Sequence, residues 1–321
     1  MSVPRILPAN GSGIAAAAAA IASGGIVAVP TETVYGLAAD ARDAKAVGRI
    51  YAAKGRPDFN PLIVHVTDTE AAERVAHFDA LSRSLADAFW PGPLTLVLPL
   101  REDAGVASIV TAGLPTVALR VSAHPVMQAL LRESDAPLAA PSANASGGVS
   151  PTRAEHVATS LRGRVPLILD GGACAAGVES TIVASDGALL RVLREGPITR
   201  EQLSAVAGVD VAGADERRGV VAPGMLARHY APGKPLRLGA EQPDANEFWI
   251  SFARSEGDFR LSESGDLTQA AARLYDALHA AAASARPRIA VSPIPRHGLG
   301  TAINDRLRRA AADKERMRPL T

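Results

Sequence analysis

The stretch Thr181-Ile-Val-Ala-Ser-Asp-Gly-Ala-Leu-Leu-Arg-Val-Leu193 decides the fold class. It contains two short apolar runs, Thr181–Ala184 and Leu189–Leu193, which are typical of buried strands. Only a few turn-forming residues separate them, whereas parallel neighbours in a sheet need a long crossover, usually a helix. The stretch therefore disfavours a purely parallel, doubly wound sheet and favours a mixed α/β sheet.

Outward from this stretch, residues 10 to about 205 alternate apolar runs with Ala-rich segments. We expect a mixed twisted sheet with flanking helices. A first, Ala-rich helix is capped by Asn10 or Ser12 and ends at Gly24 and Gly25. The other predicted strands are Ile26–Val29, Leu62–Val66, Leu94–Leu98, Thr116–Arg120, Leu138–Ala140 and Leu167–Leu169. The other predicted helices are Ala44–Ala53, Ser82–Phe89, Pro125–Arg132, Arg153–Leu161 and Arg200–Ala205.

Three segments follow from the change in composition along the chain. Residues 1–205 form the larger domain. Residues 206–235 are rich in Gly, Pro and charge, as in a connector, yet they contain the adjacent His229 and Tyr230. Residues 236–321 form a smaller α/β domain, with predicted strands at Phe248–Ala253 and Arg288–Val291 and predicted helices at Leu267–Ala283 and Asn304–Ala312.

Composition limits the class of protein. The 34 Lys and Arg residues nearly balance the 33 Asp and Glu residues, which argues against a protein that coats nucleic acid. The single cysteine, Cys174, excludes an intramolecular disulfide and any multi-cysteine metal site, so we expect a reducing cytosol. The uncharged segment Gly11–Pro30 could be taken for a signal peptide, but Gly, Ser and Pro interrupt it, and a helix followed by a strand fits better.

The standard nucleotide and hydrolase signatures are missing from the sequence. It has no GxxxxGK[ST] loop, no GxGxxG after a strand, no HExxH and no GxSxG. Phosphate chemistry must therefore depend on discrete side chains. Lys54 and Arg56, with Asn60 nearby, could bracket a phosphate. The alternative is that both cations interact with the C-terminus of a helix, where positive charge is favourable.

Polar residues at strand ends and in one long loop supply the other candidates. Thr31 and Thr33 follow the first strand and are well placed to contact a ligand. The alternative is that they belong to an ordinary strand-to-helix turn. His65 lies within an apolar strand and is either a core histidine or a functional one. Arg120 ends another strand and could clamp a carboxylate or form a surface ion pair. The loop from Pro141 to Thr152 is uncharged and rich in hydroxyls, as in a ligand-binding loop or a flexible linker.

Several blocks occur together and in order: PTETVYGL (30–37), KGRPDFNPLIVHV (54–66), WPGPLTLVL (90–98), TVALRVSAHP (116–125), APSANASG (140–147), SPT (150–152), GVESTIV (177–183) and LREGPIT (193–199). Together they resemble the YrdC-type threonylcarbamoyl-AMP synthases. The blocks APGMLARHYAP (222–232) and HGLGTAINDRLRRAA (297–311) resemble the longer, two-domain form of that family, in which the C-terminal domain is Rossmann-like.

The resemblance implies a reaction of L-threonine, bicarbonate and ATP that gives threonylcarbamoyl-AMP and pyrophosphate, with Mg²⁺ accompanying ATP and no metal held by the protein. Lys54 and Arg56 are the implied catalytic cations, and residues 220–235 form a lid over the nucleotide. The implied threonine contacts are Thr33, His65, Arg120, the Ala140 backbone and Ser180. The implied ATP contacts are Arg56, Asn60, Thr116, Ser142, Ser150, Arg194 and Tyr230.

The product would supply the machinery that transfers threonylcarbamoyl groups to tRNA in the cytoplasm. A weak tRNA contact by the basic residues of 304–321 is an open alternative to a solvated helix, and no membrane partner is expected. Two other functions remain open at this stage: a non-catalytic RNA- or nucleotide-binding module of the same fold, and a carbamoyltransferase-like enzyme.

Overall fold

The computed structural model describes residues 4–55, 60–185, 189–213 and 229–312. The described residues divide into two compact units. The larger unit contains those of 4–146 and 150–213, and the smaller contains 147–149 and 229–312. Residues 147–149 belong to the smaller unit because the Ala231 amide donates a 2.9 Å hydrogen bond to the Gly147 carbonyl, and Gly148 pairs with Ala231.

An eleven-stranded sheet is the centre of the larger unit, in the order β1-β8-β2-β3-β7-β4-β6-β5-β9-β10-β11. It combines parallel pairs, such as β4 with β6, and antiparallel pairs, such as β9 with β10. The predicted mixed sheet is therefore confirmed. The strands are β1 Arg5–Pro8, β2 Val27–Val29, β3 Gly36–Asp40, β4 Ile63–His65, β5 Leu94–Pro99, β6 Thr116–Arg120, β7 Leu138–Ala139, β8 Leu167–Asp170, β9 Thr181–Ser185, β10 Leu190–Arg194 and β11 Val211–Ala212.

The helices of this unit begin at clear capping signals. The Asn10 side chain accepts a hydrogen bond from the Gly13 amide at the start of the first helix, as predicted. Thr199 and Gln202 form a reciprocal capping box at the start of the last. The helices are α1 Gly11–Ala22, α2 Ala44–Lys54, α3 Thr69–Glu73, α4 Ala80–Phe89, α5 Ser108–Thr111, α6 Pro125–Ser134, α7 Ala154–Leu161 and α8 Arg200–Ala207.

The two faces of the large sheet are covered differently. One face packs against α2, α4, α7 and α8 in the main hydrophobic core. The opposite face packs against α1 and α6, and among the described strands this packing involves β1, β8, β2, β3 and β7. Farther along this second face, Ile63, Val97, Ala118, Ile182 and Leu193 form a small apolar cluster to which none of the described helices contributes.

A four-stranded, wholly parallel sheet is the centre of the smaller unit, as expected of a Rossmann-like domain. Its strands are β12 Leu236–Leu238, β13 Glu247–Ser251, β14 Phe259–Arg260 and β15 Arg288–Val291, in the order β12-β15-β13-β14. Its helices are α9 Leu267–Ala283 and α10 Leu299–Ala311. Among the described residues, no helix has both the length and the hydropathy needed to cross a bilayer.

The structure differs from the sequence analysis at three elements. The turn after β2 leads into strand β3 rather than into a helix, because residues 36–40 pair with both β2 and β7. Strand β1, at the sheet edge, was not predicted. Helix α10 begins at Leu299 rather than Asn304.

Candidate active site

Side-chain alternation along the strands brings several predicted site residues to one face of the large sheet. His65 and Arg120 are register partners on β4 and β6. They lie two residues beyond Ile63 and Ala118, so they share the face of the apolar cluster that no described helix covers. Thr116 lies two residues before Ala118 and shares this face as well. The sheet thus aligns residues that are far apart in the sequence.

Arg120 is the charged centre of this face. Its side chain is only 4% exposed and forms a 2.7 Å ion pair with Glu32. Its Nη1 donates to the Thr33 hydroxyl at 2.9 Å, and its Nε donates to the Gly92 carbonyl at 3.3 Å. Arg120 is therefore not in a surface ion pair, and its guanidinium is held in a fixed orientation beside Thr33.

Glu32 is a residue that the sequence analysis did not single out, although it lies between Thr31 and Thr33 in the 30–37 block. The Ser122 hydroxyl donates a very short hydrogen bond to its carboxylate, and the Ala123 amide donates another at 3.3 Å. Burial alone would raise the pKa of Glu32, but the positive charge of Arg120 and the bond from Ser122 lower it to about 2. Glu32 is therefore ionised at neutral pH.

His65 is neutral in this setting. The side chain is 2% exposed, and burial is the main reason that its pKa falls to about 3. The positive charge of Arg120 lowers the pKa further, and Glu32 opposes this effect. Its Nδ1 has no hydrogen-bond partner among the described residues. A neutral imidazole offers one donor and one acceptor to a ligand on this face.

Ser180 and Arg194 form a second polar group at the start of β9 and the end of β10. Arg194 donates from Nε to the Ser180 carbonyl and from Nη2 to the Ser180 hydroxyl, both at 3.0 Å. The Ser180 hydroxyl also lies 2.7 Å from that of Thr95 on β5. Because Leu96 pairs with Leu119, Thr95 lies next to Arg120 on the sheet. The structure thus connects a predicted threonine contact with a predicted ATP contact.

Lys54, the last residue of α2, reaches into the loop from Pro141 to Thr152. Its ammonium donates to the carbonyls of Ser142 and Asn144 at 2.5 and 2.6 Å. The Ser142 hydroxyl donates to the Asn144 side chain at 2.6 Å. Asn144 is thus another residue that the sequence analysis missed. The second predicted cation, Arg56, lies outside the described residues.

Backbone hydrogen bonds fix the same loop, so the flexible-linker alternative is wrong. The Leu37 amide donates to the Pro141 carbonyl at 2.7 Å, and the Tyr35 amide donates to the Pro151 carbonyl at 2.8 Å. Just before the loop, the Ala140 amide donates to the Ile63 carbonyl at 2.9 Å. Within the loop, the buried hydroxyl of Ser150 donates to Glu179 at 2.5 Å. The candidate site residues of the loop are therefore held in fixed positions.

The remaining predicted residues lie in different settings. Asn60 is buried, and its carbonyl accepts a 3.0 Å hydrogen bond from Tyr51. Tyr230 belongs to the smaller unit, where its ring is 1% exposed and stacks on Tyr275 with a 5.6 Å centroid distance. The guanidinium of Arg306 lies 5.4 Å from the same ring. Tyr230 is thus part of the core of that unit here, and most of the predicted lid, up to residue 228, lies outside the described residues.

Comparison with known proteins gives matches along most of the chain. The Sua5/YciO/YrdC family model, described as "Telomere recombination", matches residues 19–196. The model described as "Threonylcarbamoyl-AMP synthase, C-terminal domain" matches residues 198–312. The threonylcarbamoyl-AMP synthase of Bacillus subtilis is 42% identical, over 96% of this chain and 95% of its own length. That of Pyrococcus abyssi is 39% identical, over 92% and 93%. The crystal structure of P. abyssi Sua5 complexed with L-threonine matches with a TM-score of 0.85 at 37% identity, covering 93% of this chain and 94% of that chain.

Proposed function

The chain belongs to the Sua5/YciO/YrdC family in its two-domain form, and from this premise we propose that it is a threonylcarbamoyl-AMP synthase. It uses L-threonine, bicarbonate and ATP and releases pyrophosphate. The observation that carries the proposal is the polar face of the large sheet, where buried Arg120 lies beside neutral His65 and next to the Ser180–Arg194 pair. A fixed cation and uncharged donors suit a small zwitterion such as an amino acid.

The reaction needs no protein nucleophile. The threonine amine and bicarbonate form a carbamate with loss of water. A carbamate oxygen then attacks the α-phosphorus of ATP, and the bond from that phosphorus to the bridging oxygen of pyrophosphate breaks. The protein contributes alignment of two bound substrates and stabilisation of the developing phosphate charge.

In this proposal, Arg120 binds the α-carboxylate of threonine. Its fork of N–H donors matches a carboxylate, and Glu32 and Thr33 already hold it in place. Keeping the α-carboxylate on Arg120 also prevents it from competing with the carbamate as nucleophile. Neutral His65, the Ser180 hydroxyl and the Ala140 backbone contact the rest of the amino acid. A charged His65 would instead add a second cation beside Arg120.

The nucleotide is assigned to the polar loop and the residues around it. Arg56 and Arg194 neutralise phosphate charge, and Lys54 both fixes the loop and adds positive charge. Asn60, Thr116, Ser142 and Ser150 supply neutral hydrogen bonds. Residues 206–235 are proposed as the connector, with residues 220–235 as a lid that brings Tyr230 over the nucleotide and shelters the carbamate from water.

Mg²⁺ enters with the ATP phosphates in this scheme. Among the described residues, no group of three His, Cys, Asp or Glu side chains could hold a metal ion. Two acids that contact candidate site residues, Glu32 and Glu179, are engaged by Arg120 and Ser150. This donor set fits an ion that is held mainly by substrate phosphates, which is the usual mode for Mg²⁺. Bound in this way, the ion would neutralise charge on the phosphates. We further propose that the product is consumed by a cytoplasmic tRNA-modifying machinery.

The test is pyrophosphate release from ATP, with L-threonine and bicarbonate supplied separately and together. Release should require both. Arg120→Lys keeps the charge against Glu32 but loses the forked geometry, so the KM for threonine should rise at least tenfold while the KM for ATP changes little. Arg74→Lys, at an exposed ion pair, is the matched control.

Release without threonine, or no release with all three substrates, would exclude the synthase. The first result would favour a different nucleotide-hydrolysing or carbamoyl-transferring enzyme, and the second a non-catalytic binding module. An unchanged threonine KM in Arg120→Lys would remove the assigned role of Arg120 while leaving the reaction intact.

A further inference from the structure

The smaller unit contains a cavity that the proposed reaction does not use. It has a volume of about 430 Å³ and lies at the carboxyl ends of two neighbouring parallel strands, β12 and β15. Its walls include Leu238 at the end of β12, Ile294 in the loop after β15, and Leu307 on α10. Ligands of open parallel sheets bind at this edge, because the loops that leave the strands form a crevice there. We propose that this cavity is a second binding site of the chain, for a phosphate-bearing ligand.

The described lining of this cavity carries positive charge only. Arg296 and Arg308 both line the cavity, and among the described residues no Asp or Glu does. The side chain of Arg296 has no hydrogen-bond or ion-pair partner among the described residues, and its carbonyl accepts a 3.4 Å hydrogen bond from Thr301. Arg308 donates to the Asn304 carbonyl at 3.3 Å and comes within only 4.0 Å of Asp305. Asp305 itself is engaged by closer contacts with Arg306 and Arg309. The cavity thus presents two cations that lack close counter-charges in the part of the chain that the structure describes.

Two other cavities show the contrast. The one beside Trp249 in the same unit has two arginines, but Glu247, Glu256 and Asp258 also line it. A cavity of the larger unit has three arginines, and Asp103 and Asp135 line it with them. In both of those cavities at least two acidic side chains therefore stand among the arginines. The cavity at β12 and β15 therefore favours an anion, which would supply the missing charge.

Hydrogen bonds and close packing fix the loop that carries Arg296. The Asn304 side-chain amide donates to the carbonyls of Ile294, Pro295 and Gly300 at 3.2, 2.9 and 2.8 Å. A side chain at Gly300 would collide with the Pro295 carbonyl, so the loop closes tightly on the start of α10. The block HGLGTAINDRLRRAA, to which the proposed reaction gives no role, thus builds this wall. A site held in this way loses little entropy when it binds a ligand.

The chemical class of the ligand follows from the two kinds of wall. Guanidinium groups match phosphate oxygens in a forked geometry. Leu238, Ile294 and Leu307 supply an apolar surface on which a base or sugar can lie, and the volume falls within the usual range for small-molecule sites. The ligand class is therefore a phosphorylated nucleoside, either as a free nucleotide or as the phosphorylated end of an RNA chain.

Equilibrium dialysis on the full chain, with AMP as the probe, tests the site by counting bound ligands per chain. The wild type should bind AMP at two sites, one of them catalytic. The double variant Arg296→Ala/Arg308→Ala should retain one site and keep threonine-dependent pyrophosphate release within about twofold. The matched control, Arg254→Ala/Arg260→Ala, removes the same charge from exposed arginines of the same unit and should bind like the wild type.

A second experiment, competition between AMP and RNA, distinguishes a free nucleotide from the phosphorylated end of an RNA chain. A 5′-phosphorylated RNA stem-loop that displaces AMP from the second site, and whose affinity falls at least tenfold in the double variant only, assigns the site to RNA. AMP binding that this RNA does not displace assigns the site to free nucleotides. The proposal is overturned if the wild type and the double variant bind equal amounts of AMP and bind the RNA with equal affinity.

Discussion

Replacing Glu32 by Gln would leave the buried guanidinium of Arg120 without its counter-charge. The size of the effect follows from the pKa of Glu32, which is lowered from 4.5 to about 2 although burial alone would raise it. The gap between these values corresponds to about 3 kcal/mol of stability at pH 7, because one pKa unit is worth about 1.4 kcal/mol. The folded-state pKa is the lower one, so this stability is present above pH ~4.5 and is lost as the pH falls towards 2.

Urea unfolding at pH 7 and at pH 3 measures this contribution. In a Trp249→Phe background, Trp90 fluorescence reports on the larger unit alone. We expect Glu32→Gln to lower the free energy of unfolding by about 3 kcal/mol at pH 7 and by only about 1 kcal/mol at pH 3, where the wild type has lost most of the contribution. The matched control is Glu70→Gln, which removes an acid from an exposed Arg–Glu pair and should cost less than about 0.5 kcal/mol. If the two variants lose equal stability at pH 7, or if the loss in Glu32→Gln is the same at both pH values, the buried ion pair does not stabilise the fold as reasoned.

Three further predictions concern other parts of the chain. Because the pKa of His65 falls to about 3, kcat/KM for threonine should show no inflection from this residue between pH 5 and 8. An inflection near pH 6.5 that disappears in His65→Asn would contradict this prediction. Lys54→Met removes the donor to two loop carbonyls, which should cost the loop about 1.5–3 kcal/mol of local stability. Amide hydrogen exchange of residues 141–152 should therefore become at least tenfold faster. Unchanged exchange would exclude an anchoring role of Lys54. Gly48→Ala should raise the free energy of unfolding by up to about 1 kcal/mol, because open space surrounds this position in α2. Gly300→Ala should lower it, because the added methyl group would collide with the Pro295 carbonyl. Shifts of the thermal unfolding midpoint in the same direction for both variants would contradict the prediction.

The sequence predicts best those elements whose pattern is strong and local. Thr116–Arg120 and Leu267–Ala283 have the predicted bounds, because the first is a buried apolar run and the second keeps a helical period over many residues. Strand β1 escaped prediction because its four residues are largely exposed and become a strand only by pairing with β8. Strand β3 consists mainly of small residues with little strand preference, and pairing on both sides makes it a strand.

The candidate site was predicted as a set of residues but not as a set of contacts. Arg120 and Thr33 are 87 residues apart in the sequence, and Lys54 and Asn144 are 90 apart, so local patterns could not reveal either contact. The missed residues Glu32 and Asn144 lie inside blocks that were already identified. Glu32 could have been noticed as the only acid of the 30–37 block. Asn144 could have been noticed as the only amide side chain in a loop without charge. The order of strands in the sheet, which places β4, β6, β5 and β9 side by side, could not be predicted from local sequence patterns.

The position of β8 between β1 and β2 has a consequence for synthesis of the chain. Arg5 pairs with Leu167, and Val27 pairs with the same residue from the other side. Translation proceeds from the N-terminus, so both early strands expose unpaired edges until the residues of β8 have left the ribosome, on the order of ten seconds later. Strand β2, Val-Ala-Val, is apolar and free to pair with other chains during that delay. Expression at low temperature or with a chaperone that shields nascent chains should therefore increase the yield of folded protein.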